Sequence, residues 1–214
     1  MKTPVSPSVA PALLAALFAT LISCRYNPSQ VEPRPTWRWA NVGKICTLDS
    51  PATELAPAAR DSLGSPFRSP SGRDVWADRA AIARSIPGGW GGLELRKPGR
   101  PYGIYLIDTT QRTAALAALL AAGVDYISAD TKAVQGRWTY AQIYDWFRYI
   151  HSHLRHVAVN MWALDEWQNR ILYGTVDEAA ALELDRQLTA LNIPCFLVAR
   201  EVIGEIRGLS AERE

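Results

Sequence analysis

Between Asp74 and Val202 the apolar positions pass from helical spacing to short continuous runs and back, twice, in the same order. Val75, Ile82 and Ile86 fall on one helical face with Ala83 beside them, while Arg73, Asp78 and Arg84 stay outside and Pro87 stops the helix. Strands on either side of the Pro-Gly turn Lys97–Arg100 then predict a hairpin over 90–107. A helix over 110–122 follows, carrying Leu116, Leu119 and Leu120 and closed by Gly123, and a bent or bulged strand over 124–135 ends the first series. The second series opens with the clearest helix: Ile143, Trp146, Phe147, Ile150 and Leu154 recur at helical spacing, and Asp145, Arg148, Ser152 and Arg155 face away. Two apolar runs around a polar turn at 165–169 make its hairpin. Ala181, Leu184, Leu188 and Leu191 mark its second helix, and Phe196–Val202 its last strand.

Three stretches have the spacing of a capping box, in which a side chain at the helix start and another three residues on satisfy each other's free N–H groups: Asp108 with Gln111, Thr139 with Gln142, and Thr175 with Glu178. The elements therefore predict an α+β domain over 74–203 built from two similar halves, 74–135 and 136–203, each reading helix, strand, strand, helix, strand. Taken from the strand near Val134, the second half has the β-α-β-β-α-β order of a ferredoxin-like split β-α-β unit, with a mainly antiparallel sheet and helices on one face. The run Gly88–Gly92 opens a strand rather than a helix and brings no Lys, so it is read as a loop with positive φ or close backbone approach and not as a phosphate cradle.

Ahead of this domain the pattern fails. Residues 9–22 form an uncharged Ala- and Leu-rich run behind Lys2, of the length of a signal-peptide core and too short to span a bilayer. Leu21, Ile22, Ser23 and Cys24 resemble the lipobox of bacterial lipoproteins. The resemblance implies a signal peptide over 1–23, Cys24 as the lipid-modified first residue of the mature chain, and a membrane anchored through that lipid; secretion without a lipid and an uncleaved N-terminus are the alternatives. Residues 24–73 hold half of the fourteen prolines and read as a tether, with Trp37, Arg38, Trp39, Val42, Ile45 and Cys46 as its one island able to dock. Residues 204–214 form a charged tail.

Composition narrows the classes. An apolar fraction of 48% with eight Trp supplies a core, and a formal charge of +2 spread over mixed signs gives no basic stripe for nucleic acid. Three scattered cysteines make neither a zinc site nor a disulfide framework, yet with Cys24 lipidated a pair remains: outside the cytoplasm Cys46 and Cys195 could bridge, or Cys195 is a small buried residue ahead of the last strand.

The hairpin with Trp162, Asp165 and Asn169 resembles one in the C-terminal part of the prodomains of alpha-lytic and streptogrisin-type secreted serine proteases. Locally, an Asp ending a strand accepts from loop N–H groups and an Asn tolerates the left-handed geometry that returns the chain. The resemblance covers about twelve residues, no protease domain follows within the sequence, and Gly174 interrupts the second strand. It implies a non-catalytic, protein-binding module.

The search for chemistry yields no constellation. His151 and His153 diverge by about 200° on a helix, which leaves at best His153 and His156 on one side with Arg155 beside them, so no metal ligand set is expected. Asp165 and Glu166 are neighbours on a turn and do not converge as an acid-base pair. Trp138, Trp146 and Trp162 could line a carbohydrate surface, but the helical face assigns at least Trp146 to the core. The expectation is an extracytoplasmic, membrane-anchored cell-envelope lipoprotein that is not an enzyme, uses no cofactor, and binds a protein partner; an envelope enzyme whose site assembles from distant residues and a structural spacer are the alternatives.

Overall fold

In the computed structural model the described residues are 37–64, 72–94, 103–124 and 127–204. The signal peptide, Cys24, the Lys97–Arg100 turn and residues 205–214 of the tail lie outside them. The elements run β1 (Arg38–Trp39), α1 (Pro57–Asp61), α2 (Val75–Ser85), β2 (Trp90–Glu94), β3 (Gly103–Leu106), a 3-10 turn (Thr109–Gln111), α3 (Arg112–Ala121), β4 (Lys132–Gln135), α4 (Tyr140–His153), β5 (Val159–Asp165), β6 (Arg170–Thr175), α5 (Glu178–Ala190) and β7 (Val198–Val202).

The fold is α+β, with two mixed sheets. The smaller has the order β2-β3-β4, β2 antiparallel and β4 parallel to β3. The larger has the order β1-β7-β6-β5, in which β5 is antiparallel and β7 parallel to β6, and β1 adds to β7 antiparallel. Each half thus runs helix, hairpin, helix, returning parallel strand. The ferredoxin-like reading of the second half needs the strand at Val134 to lie between β6 and β7. Instead β6 and β7 bond directly to each other, and Val134 pairs with Tyr105 in the other sheet. A short α-helical crossover makes β3-β4 and β6-β7 each a local parallel pair, which leaves no gap for an inserted strand.

One apolar cluster fills each half. Ile171 and Tyr173, two apart on β6 and so on one face, pack with Phe147 and Ile150 of α4 and Leu184 and Leu188 of α5. Ile104 and Leu106 of β3 do the same with Leu116 and Leu119 of α3 and Ala80 and Ala83 of α2. Helix α4 serves both, since Ala141 and Tyr144 face the smaller sheet. The face of α2 differs from the sequence reading: Val75 is exposed, and the buried residues are Ala80 and Ala83, because a close approach to α4 needs small side chains.

Caps hold at the starts the sequence marks, with two changes. Thr139 and Gln142 form the complete reciprocal box. Asp108 accepts from Thr110 N–H, but its own N–H donates to Gly88 O, so Gln111 has no cap N–H to reach. At the third start the cap is Asp177, which accepts from Ala180 N–H at 2.7 Å. Thr175 belongs to β6, its hydroxyl turned to Asp177 O and Glu201 O, and Glu178 is already helical.

The largest departure is the supposed tether, whose described part, 37–64, is a strap on the larger sheet. It supplies β1, buries Ala40, Val42 and Leu55 in the core of the second half, and is fixed by a disulfide between Cys46 and Cys195 with Cα atoms 5.5 Å apart. Side chains of the body bond its carbonyls: Trp146 Nε1 donates to Thr53 O at 2.9 Å, and Arg137 to Leu48 O and Ser50 O. Prolines remove the helical period that makes packing visible in sequence, but an irregular chain still docks when partners satisfy its backbone.

Candidate interaction site

The hairpin that carries Trp162, Asp165 and Asn169 is where the halves meet. Asn169 sits at φ 57° and is buried, and its side chain makes four bonds: Oδ1 accepts from Arg137 N–H and Trp138 N–H, both at 2.8 Å, and Nδ2 donates to Gly91 O at 3.0 Å and Trp138 O at 2.6 Å. Glu166 accepts from Arg79 Nη2 at 2.6 Å and from the backbone N–H of Leu93. The turn therefore caps the outer edge of β2, and this explains the glycines there. A Cβ on Gly91 would lie 2.3 Å from Trp138 O, and one on Gly92, at φ 121°, 2.5 Å from Glu166 Cβ. Gly88 and Gly89 take positive φ, as the strand-opening reading of the run requires.

Asp165 closes the turn by accepting from Gln168 N–H at 3.2 Å and faces Arg170 Nε at 3.6 Å. Burial pushes both turn carboxyls above the usual carboxylate range, against the smaller opposing pulls of Arg170 on Asp165 and Arg79 on Glu166. The two acids take separate cations and do not converge. Trp162 packs edge-on to Trp76 of α2 and near Phe147 and His151 of α4, so the residues of the signature are placed for architecture.

The histidines also go separate ways. His151 is half-buried against Phe147 and Trp162, and desolvation lowers its pKa. His153 stacks on Tyr149 with ring centroids 4.3 Å apart, and exposed His156 takes φ 55° to leave the helix. Trp138 and Trp146 are buried in the core. Asp145, which the helical pattern places outside, is buried: its oxygens accept from Arg84 at 2.9 and 3.0 Å, and Arg148 lies 3.8 Å away. A buried carboxylate needs a fixed cation opposite it, and Arg84 is that cation.

A polar hollow of about 430 Å³ is lined by Arg60, Asp61, Leu63, Arg84 and Arg148. Its cations are already engaged: Arg60 with Asp61, Arg84 with Asp145, and Arg148 with the carbonyls of Leu63 and Gly64.

Sequence reasoning missed Arg170. It is buried, its guanidinium lies 3.7 Å from the Trp37 ring centre and 4.9 Å from that of Trp39, and its Nε and Nη1 have no hydrogen-bond partner. Desolvation lowers its pKa. Trp37 meets Trp39, Trp39 meets Phe196, and Arg137 lies over Phe196 and holds Leu48 O, which makes one continuous aromatic-cationic band along the strap. The Trp37-Arg38-Trp39 spacing was the available signal, and its partner 131 or more residues away was not.

At the far end of the larger sheet from β1 lies β5. Every residue from Val159 to Asp165 is partly exposed, and among the described residues no strand pairs with its outer edge. Compared with known proteins, the chain matches no family model, and no curated protein is similar to it in sequence.

Proposed function

We propose that the chain is an exported, lipid-anchored protein of the bacterial cell envelope whose α+β domain binds another protein without catalysing a reaction. The observation that carries this reading is the position of β5 at the end of the larger sheet, where among the described residues no strand lies beyond it and an extended segment of a partner can add as a further strand. Two further features support it. The ionisable groups of the turn and of the polar hollow are engaged with one another, and the prodomain-like hairpin points to a non-catalytic module. The Cys46–Cys195 disulfide and the lipobox-like residues Leu21 to Cys24 support a place outside the cytoplasm.

A photoreactive residue placed at Met161 or Ala163 in living cells should yield one discrete protein adduct, and the same residue at exposed Leu182 on α5 should not. Equal labelling from both positions, or none from β5, overturns the edge as the binding element. Labelled fatty acid should enter the natural chain and be lost in Cys24→Ala; equal incorporation overturns the lipid anchor.

A further inference from the structure

The two most exposed large apolar side chains of the described residues, Ile45 at 93% and Leu48 at 87%, stand on one short loop of the strap. The loop is not slack. Cys46 between them is bonded to Cys195, Lys44 Nζ donates to Asn192 Oδ1 at 2.7 Å, Arg137 holds the carbonyls of Leu48 and Ser50, and Thr47 and Ser50 close a turn in both directions. Two apolar side chains presented on a loop fixed at so many points are a built protrusion, since collapse onto the body would have buried them. The aromatic-cationic band of Trp37, Trp39, Phe196 and Arg137 runs up to its base.

We infer that this loop seats the domain on the lipid bilayer, with Ile45 and Leu48 inserted among the acyl chains and Trp39, 41% exposed, at the level of the headgroups. The inference rests on the lipid-anchored reading of Cys24. Twelve residues separate Cys24 from Trp37, a reach of at most about 45 Å, so the band is the first described surface after the anchor. The loop's own charges, Lys44 and Asp49, cancel, so the attachment is apolar in origin and persists at high salt. Strand β1 of the strap and strand β5 are opposite ends of the sheet, so a seat on the strap side lies at the other end from β5.

The test uses the full chain in vesicles of phosphatidylethanolamine and phosphatidylglycerol that carry brominated acyl chains. Leu48→Trp should be quenched several-fold more than Leu182→Trp, in low and high salt alike, and Ile45→Asp added to Leu48→Trp should weaken insertion roughly tenfold. Equal quenching at positions 48 and 182 overturns the inference, as does a position-48 signal that responds to added envelope protein and not to lipid. Fatty-acid labelling at Cys24 reads the anchor separately: a labelled chain whose position 48 is unquenched rejects the seat and leaves the lipoprotein reading standing.

Discussion

The two halves share an order of elements and a pattern of pairing, yet they finish their sheets differently. In the first half the outer edge of β2 is closed from within, by Asn169 on Gly91 O and Glu166 on Leu93 N–H. In the second half the corresponding strand, β5, has no strand beyond it among the described residues, while the opposite side of the sheet gains β1 and a covalent staple. Where two halves of similar element order lie side by side, one can cap the edge of the other, and the outer half keeps an edge of its own.

The comparison can be broken most forcefully at the staple. Replacing Cys46 and Cys195 by Ser frees a span of 149 residues and should lower stability by about 5 kcal/mol on the chain-entropy account, read by urea unfolding. Hydrogen exchange should then rise in β7 and β6 well before β2 and β3. Uniform loosening of both sheets would mean that the halves are one cooperative unit and that the staple does not distinguish them.

Next comes Asn169→Ala, which strands two buried N–H groups and two carbonyls and puts alanine at positive φ. A loss of about 3–4 kcal/mol is expected, with faster exchange in β2 because its edge is uncapped. A loss below about 1 kcal/mol would show that the turn merely touches β2.

The smallest effect is the dependence on pH. Glu166 titrates higher in the folded than in the unfolded chain because burial outweighs the pull of Arg79, so its contribution favours the fold when the carboxyl is protonated. That contribution is complete below the ordinary glutamate value and is lost as pH rises through the folded value. Glu166→Gln should flatten this part of the stability profile in urea titrations carried upward in pH from the ordinary glutamate value. An unchanged slope would assign the effect to Asp165, which burial shifts in the same sense.

Local rules made much of this legible. The helical face of α4, the reciprocal box at Thr139 and Gln142, the tight approach at Gly91 and Gly92 and the left-handed Asn169 each depend on neighbours a few residues away or on one backbone angle. What escaped depends on distant partners. Arg170 looks like a surface cation until Trp37 and Trp39 close on it, Asp145 looks solvated until Arg84 arrives from another helix, and residues 37–64 carry no period at all. The placement of β4 escaped for a related reason, since element order is compatible with several pairings and only one satisfies both parallel crossovers.

The disulfide also changes what a single cut can do. Because Cys46 and Cys195 join the two ends of the body, hydrolysis of any one peptide bond between them leaves both fragments on a single covalent thread. A single cut inside that loop therefore releases nothing until a thiol opens the disulfide, whereas one cut ahead of Cys46 separates the body from whatever precedes it.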